Sequence, residues 1–334
     1  MVNLRNSDED EKPNSNSEVI MSIISLLKVH LGDKYYRLKN FGILYIIDFT
    51  LCSLARKLGL PMRCFWANEV DYRYVKRRYG SWSSLAKYQS SYSEGNTIWV
   101  MWWQGADIEK PSLIETCIES IRRNKGAYTV AIIDKNNYKE YIEIPQLILD
   151  KFNNGIIGIA AFSDYIRFAL MEKYGGWYLD ATVYVTRTIT QPVASFYSVR
   201  YEGLKDTISK SMWSPFLWYL PQGHPLTVFI HKAFDDYWAH YDKIVNYFLI
   251  DALVRTFYHI SPDFKAQIDS LNYDNPDLYF LQFEESKHPY VERVWLEKLK
   301  HNQFFKCNRK EPITDSQSFA GKILGTKWFM ERKY

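Results

Sequence analysis

The chain has 334 residues, 47% of them hydrophobic and 24% charged, with a net charge of +4. That length and apolar content suit one large domain, or a core domain with a helical accessory. The mild charge, with no long Lys/Arg run and no nucleic-acid motif, argues against a nucleic-acid partner. Four cysteines (Cys52, Cys64, Cys117, Cys307) show no CxxC spacing, and no signal peptide opens the chain. They read as reduced, buried thiols of a cytosolic protein. The longest apolar run, 41–55, is interrupted by Asp48 and falls short of a bilayer span. No integral membrane protein is therefore expected.

Residues 1–17 are acidic, Asn/Ser-rich and nearly free of bulky apolar groups, which predicts a disordered tail. A helical region follows over 18–95. Ile20, Ile23, Ile24, Leu27 and Leu31 recur at helical spacing up to Gly32-Asp33, and Leu44, Ile47, Leu51, Leu54 and Leu58 do so up to Gly59. Between 56 and 87 the sequence turns basic, with Arg73, Lys76, Arg77 and Arg78 among interleaved tyrosines. A solvated helix face explains this most simply. A contact with anionic headgroups or a pyrophosphate-bearing acceptor is the sharper alternative.

Residues 90–96 read as a linker, after which strand and helix alternate to the end of a domain predicted over 96–334. Its donor half covers about 96–200 and its acceptor-side half about 201–334. The apolar run 97–103 predicts a strand ending on Trp102, Trp103, Gln104 and Gly105, and a helix follows from Pro111 to about 124. A second strand, 128–133, ends on Asp134, and short helices fit 137–141 and 145–152. Residues 156–161 lead into a helix on which Ser163 is the natural N-cap, with Asp164 in its first turn and Arg167 one turn on. Gly175-Gly176 stops that helix, and Trp177-Tyr178-Leu179 enters the sheet. Asp180 follows, and strand alternation puts it on one face with Thr182. A turn at Asp180 is poorly supported, because the next residues are strand formers.

Alternating strands and helices indicate an α/β sheet, whose ligands collect outside the strand carboxyl ends. Gln104, Asp134 and Asp180 all fall there. Asp164, Arg167 and Asp180 can converge on one small polar ligand, although a capped helix carrying an intrahelical ion pair explains the first two equally well. The histidines are scattered, and Asp251 reads either as a substrate contact or as a helix-surface acid paired with Arg255. The segment 213–218 with Tyr219 reads either as an acceptor-side wall or as core, with core the favoured reading.

The pattern SDYIR followed by YGGWYLDATV, with IWVMWWQG at 98–105 and VNYFLID at 245–251, resembles the capsular polysaccharide synthesis proteins. These are similar to DXD-containing glycosyltransferases of the α-1,6-mannosyltransferase and clostridial-toxin type. The resemblance covers roughly 96–260. It implies a GT-A-type fold, a mixed sheet flanked by helices, behind the N-terminal helical region. It also implies transfer of a hexose from a nucleotide-sugar donor, a UDP-sugar, to a growing capsular acceptor with retention of configuration. Asp164 and Arg167 would grip the donor sugar, 102–105 would hold the base, and Asp180 would be the first DXD acid. Ser163, Gly176, Thr182, Asp134 and Asp251 complete the implied substrate-binding set.

Thr182 stands where the second acid of DXD would be. One carboxylate and one hydroxyl make a poorer Mn²⁺ or Mg²⁺ site than two carboxylates, so the implied metal rests on Asp180. Lys306, Arg309 and Lys310 could supply positive charge near the diphosphate, although surface lysines are the simpler reading. Sugar-phosphate transfer and a non-catalytic nucleotide-sugar-binding module are the alternatives. The expected location is cytoplasmic, peripheral at the inner face of the plasma membrane beside a lipid-linked acceptor.

Overall fold

The structure, a computed structural model, describes residues 15–60, 67–87, 92–194, 196–203 and 207–325. The chain forms two compact units, 1–70 and 71–334. In the first unit, helix α1 runs Ser15–Lys57 and breaks at Gly42, where φ is 84° and ψ is 171°. Two helices were expected, with the break at Gly32. The break lies at Gly42 because that residue takes a left-handed conformation that Gly alone adopts without penalty. Residues 1–14 of the expected tail lie outside the described residues, whereas 15–17 are helical.

By length and composition alone the stretch Lys34–Ala55 could cross a membrane, but the break at Gly42 divides it. It is longer than the expected 41–55 run, which left out the turns preceding Phe41. Leu44, Ile47, Leu51, Leu54 and Leu58 are all exposed, whereas Phe41, Tyr45, Cys52 and Ala55 are buried.

Helix α2 (Ala67–Tyr79) lies mostly in the second unit. Tyr74 donates to Tyr241 at 2.6 Å, and Arg78 pairs with Asp236 at 2.7 Å. These bonds explain why the boundary falls near 70 and not near 95. Arg78 is therefore part of the fold; Lys76 and Arg77 remain exposed. The expected linker is also held down where it is described, since Ser93 accepts from the Gln222 N–H at 2.9 Å and Glu94 accepts from Tyr219.

The second unit is built on a five-stranded sheet. Its strands are β1 (Thr97–Met101), β2 (Thr129–Ile133), β3 (Gly176–Leu179), β5 (Tyr197–Ser198) and β6 (Leu217–Leu220), in the order β2-β1-β3-β6-β5. The first three are parallel, and β6 runs antiparallel to β3 and β5. Strand β4 (Val183–Val185) leaves this sheet to pair with β7 (Phe304–Lys306). Ile98, Val100, Trp177, Leu179, Leu217 and Tyr219 pack on one side against α3 (Ser112–Arg123), β4 and β7. Helices α6 (Ile159–Tyr174) and α7 (Pro225–His240) pack together, with α6 against β1 and β3. Short helices α4 (Tyr138–Tyr141) and α5 (Gln146–Asn153) bridge β2 to α6. This is the expected architecture, a mixed sheet flanked by helices behind an N-terminal helix.

Gly176 was expected to touch substrate. Its φ is +100°, and an added Cβ would lie 2.3 Å from the Thr97 carbonyl oxygen. The glycine is there so that β3 can lie close to β1.

Candidate active site

The carboxyl ends of β1 and β3 and the segment entering β6 open onto a cleft of about 880 Å³. Trp102, Trp103, Gln104, Ser163, Asp164, Arg167, Asp180, Thr182 and Asp251 all line it. Most of the residues singled out in the sequence thus border one cleft. A cleft of this size falls in the range that binds cofactors and small ligands.

Helix α6 carries the donor-side pair. It begins at Ile159 behind Gly158, five residues before the expected start, because Ala160 and Ala161 are strong helix formers and Gly158 takes the extended cap conformation. Ser163 is thus not the cap. Its hydroxyl sits 3.5 Å from the Tyr178 hydroxyl. Asp164 likewise lies beyond the first turn, where the helix dipole has faded.

What Asp164 has instead is Arg167, 3.2 Å away and one turn on. Burial lifts the Asp164 carboxyl to about 6, with Arg167 opposing the rise and Asp180 adding to it. The Arg167 guanidinium donates to the Pro215 carbonyl and lies 4.3 Å from the centre of the Tyr178 ring. Its Nε and the Trp102 Nε1 are buried donors with no hydrogen-bond partner among the described residues.

Asp180 directly follows β3, and here the chain turns. The Val183 N–H bonds the Asp180 carbonyl at 2.9 Å. The strand does not continue through Thr182 as expected, because β4 finds its partner in β7, a pairing that local propensity could not report. The turn still leaves both side chains together, with the Thr182 hydroxyl donating to Asp180 Oδ2 at 3.1 Å. Lys306 Nζ contacts the same Oδ2, and it lies 2.5 Å from Thr182 Oγ1. Burial would raise the Asp180 carboxyl, but Lys306, Arg167 and the Thr182 hydroxyl hold it below the usual carboxylate range.

Two expected ligands do other work. Asp134 accepts from the backbone N–H groups of Ala106 (2.6 Å), Asn136 (2.7 Å) and Asn137 (3.0 Å), so both its oxygens are satisfied by main chain. Burial alone would raise its pKa, but those three donors lower it. It anchors the loop that follows β1 and does not line the cleft. Gly105, with φ +144°, shapes that loop behind the lining residues. Trp103 is wedged among Tyr138, Phe152 and Phe162, and only part of it reaches the cleft.

Asp251, in the first turn of α8 (Leu249–Ile260), is buried and is not a helix-surface acid. It accepts from Trp213 Nε1 at 2.9 Å. Burial pushes its carboxyl up to about 7, with Trp213 and Arg167 opposing and Asp164 reinforcing. For Trp213 and Phe216 both readings hold: they are buried, and they also wall the cleft. Of the three cations considered near the diphosphate, Lys306 is the one that contacts Asp180, and in the sequence it stands out as a cation set in the apolar run Phe304-Phe305-Lys306-Cys307.

The DXD resemblance implies Mn²⁺ or Mg²⁺, but these residues do not fit one. Among the described residues no group of three or more His, Cys, Asp or Glu is placed to hold a metal ion. The donor set is one carboxylate and one hydroxyl, with an ammonium on both. That ammonium would repel a divalent ion and offset part of the attraction exerted by Asp180.

No curated protein matches the chain at a significant level. A solved structure described as the PaToxG glycosyltransferase is similar to it with a TM-score of 0.38 and 12% identity, over 60% of this chain and 82% of its own. The family model of the capsular polysaccharide synthesis protein matches residues 62–323, a span that contains every cleft residue named above. The chain belongs to the capsular polysaccharide synthesis protein family.

Proposed function

We propose that the protein is a GT-A-type glycosyltransferase that moves a hexose from a UDP-sugar to a growing capsular polysaccharide, with retention of configuration. One observation carries the reading: Asp164, Arg167, Asp180 and Thr182 meet in a single cleft at the carboxyl edge of the sheet. Membership of a capsule-synthesis family supports a sugar donor and a glycan acceptor.

Breaking a sugar–phosphate bond builds negative charge on the departing diphosphate and positive charge at the anomeric carbon. Catalysis then depends on positioning and charge stabilisation. In this reading Asp164 and Arg167 orient the sugar hydroxyls, and Asp180 lies on the side where positive charge develops. Trp102, which lines the cleft, offers the base an apolar surface. Asp251 and the aromatic wall around Trp213 face the acceptor.

The acceptor reading brings in the membrane. Beyond Gly42 the straight part of α1, 43–57, rises about 22 Å at about 1.5 Å per residue, short of a hydrocarbon core of about 30 Å. Its exposed leucines, with Lys34, Arg37 and Lys39 before them and Lys57 after, suit a helix lying in an anionic interface. We therefore place the protein at the inner face of the plasma membrane, beside a lipid-linked acceptor.

Donor hydrolysis, screened over UDP- and GDP-sugars, tests the enzyme reading. Wild type should release nucleoside diphosphate, and Asp180→Asn should lower the rate at least 100-fold. Release of monophosphate would mean sugar-phosphate transfer. An Asp180→Asn variant as active as wild type would remove Asp180 from the site.

A further inference from the structure

We propose that Lys306 does the work of a divalent cation here, binding the donor's diphosphate and balancing the charge that builds on it. The inference rests on the donor-site reading above.

Lys306 is the last residue of β7 and pairs directly with Val183 of β4. Main-chain bonds hold it from both directions, Lys306 N–H to the Leu278 carbonyl at 2.7 Å and Cys307 N–H to the Thr182 carbonyl at 2.9 Å. The side chain emerges beside the Asp180 turn, and its Nζ lies 4.6 Å from the centre of the Phe216 ring. An ammonium has three donors and no acceptor. Asp180 and Thr182 take two of them, and the third remains for the cleft that Lys306 lines.

Thr182 follows the same logic. A carboxylate at that position would give the ammonium two counter-charges and leave it less available to an incoming anion. A hydroxyl holds it by a hydrogen bond and adds no charge. Asp180 and Lys306 thus form a neutral pair into which a diphosphate can bind, with Arg309 and Lys310 further along the same wall.

In the transfer the acceptor oxygen forms a bond to the anomeric carbon. The bond from that carbon to the phosphate oxygen breaks, and its electron pair stays on the diphosphate. The acceptor proton passes to the departing diphosphate. Lys306 gives up no proton in the step and donates a hydrogen bond to a phosphate oxygen.

Titration calorimetry of the full-length protein with UDP and GDP, in EDTA and then with Mn²⁺, tests this. Affinity for the diphosphate that binds should change less than twofold between the two conditions. Lys306→Met should weaken that diphosphate at least tenfold, with uridine or guanosine affinity unchanged, and Lys306→Arg should retain most of it. Binding lost in EDTA and restored by Mn²⁺ would overturn the proposal, as would unchanged diphosphate affinity in a folded Lys306→Met. If Lys306→Met fails to fold, the EDTA comparison on wild type decides alone. If wild type binds neither nucleoside diphosphate in either condition, the donor-site reading itself fails, and this proposal falls with it.

Discussion

Replacing Asp251 by Asn should make the protein more stable at neutral pH and less active. Asp251 is 4% exposed, and its carboxyl titrates near 7 instead of near 3.8 because burial disfavours the charged form. Between those two pH values the native state holds a proton that the unfolded chain has lost, so stability falls as pH rises through the window. At about 1.4 kcal/mol per pH unit, the charged carboxyl costs roughly 4 kcal/mol above pH 7. Asparagine keeps the shape and can still accept from Trp213, and it never ionises. Urea unfolding of both proteins at pH 5 and pH 8 isolates the effect, because the other titrating groups are common to both. The stability advantage of the variant should grow by about 3 kcal/mol from pH 5 to pH 8. A variant less stable than wild type at pH 8, or an advantage that does not change with pH, would refute the reasoning. Because Asp251 lines the cleft, donor turnover should fall at least tenfold in the same variant.

Gly176→Ala should destabilise the protein by about 3 kcal/mol or more, since the new Cβ meets the Thr97 carbonyl and φ is already left-handed; an equally stable variant with weakened donor binding would return Gly176 to the ligand. Glutamates at Leu44, Ile47 and Leu51 should abolish co-sedimentation with phosphatidylglycerol vesicles, and Lys76→Glu with Arg77→Glu should weaken it only partly. Unchanged sedimentation of the leucine-face variant would exclude α1 as the membrane contact.

Much of the site was legible because it is local. The helix-glycine-strand order around 164–180 is written in periodicity, the Gly-Gly pair and apolar runs, so Asp164, Arg167 and Asp180 were placed on the right elements, although the cap at Ser163 and the strand through Asp180 were not. Asp134 marks the limit: its place at a strand end was readable, but only coordinates reveal that three amides already satisfy it. Gly32 and Gly42 look alike in sequence, and which one breaks a helix depends on which adopts positive φ. Lys306 lies 126 positions from Asp180. Nothing in the local pattern around either residue encodes that contact.

The β4–β7 pair explains why that distant contact is nonetheless well defined. Lys306 and Phe304 share one face of β7, opposite Val183 and Val185, while Phe305 points the other way and packs 5.0 Å from Trp295. A slip of one residue would turn Phe305 into the cleft and press the ammonium against Trp295, exchanging a paired charge for a buried unpaired one. The core therefore enforces the register, and the register delivers the cation to Asp180. The turn at 180–183 completes the arrangement by steering β4 out of the main sheet toward β7. Carboxylate, hydroxyl and ammonium are thereby held by main-chain pairing and hydrophobic packing, so the charge is in position before any donor arrives.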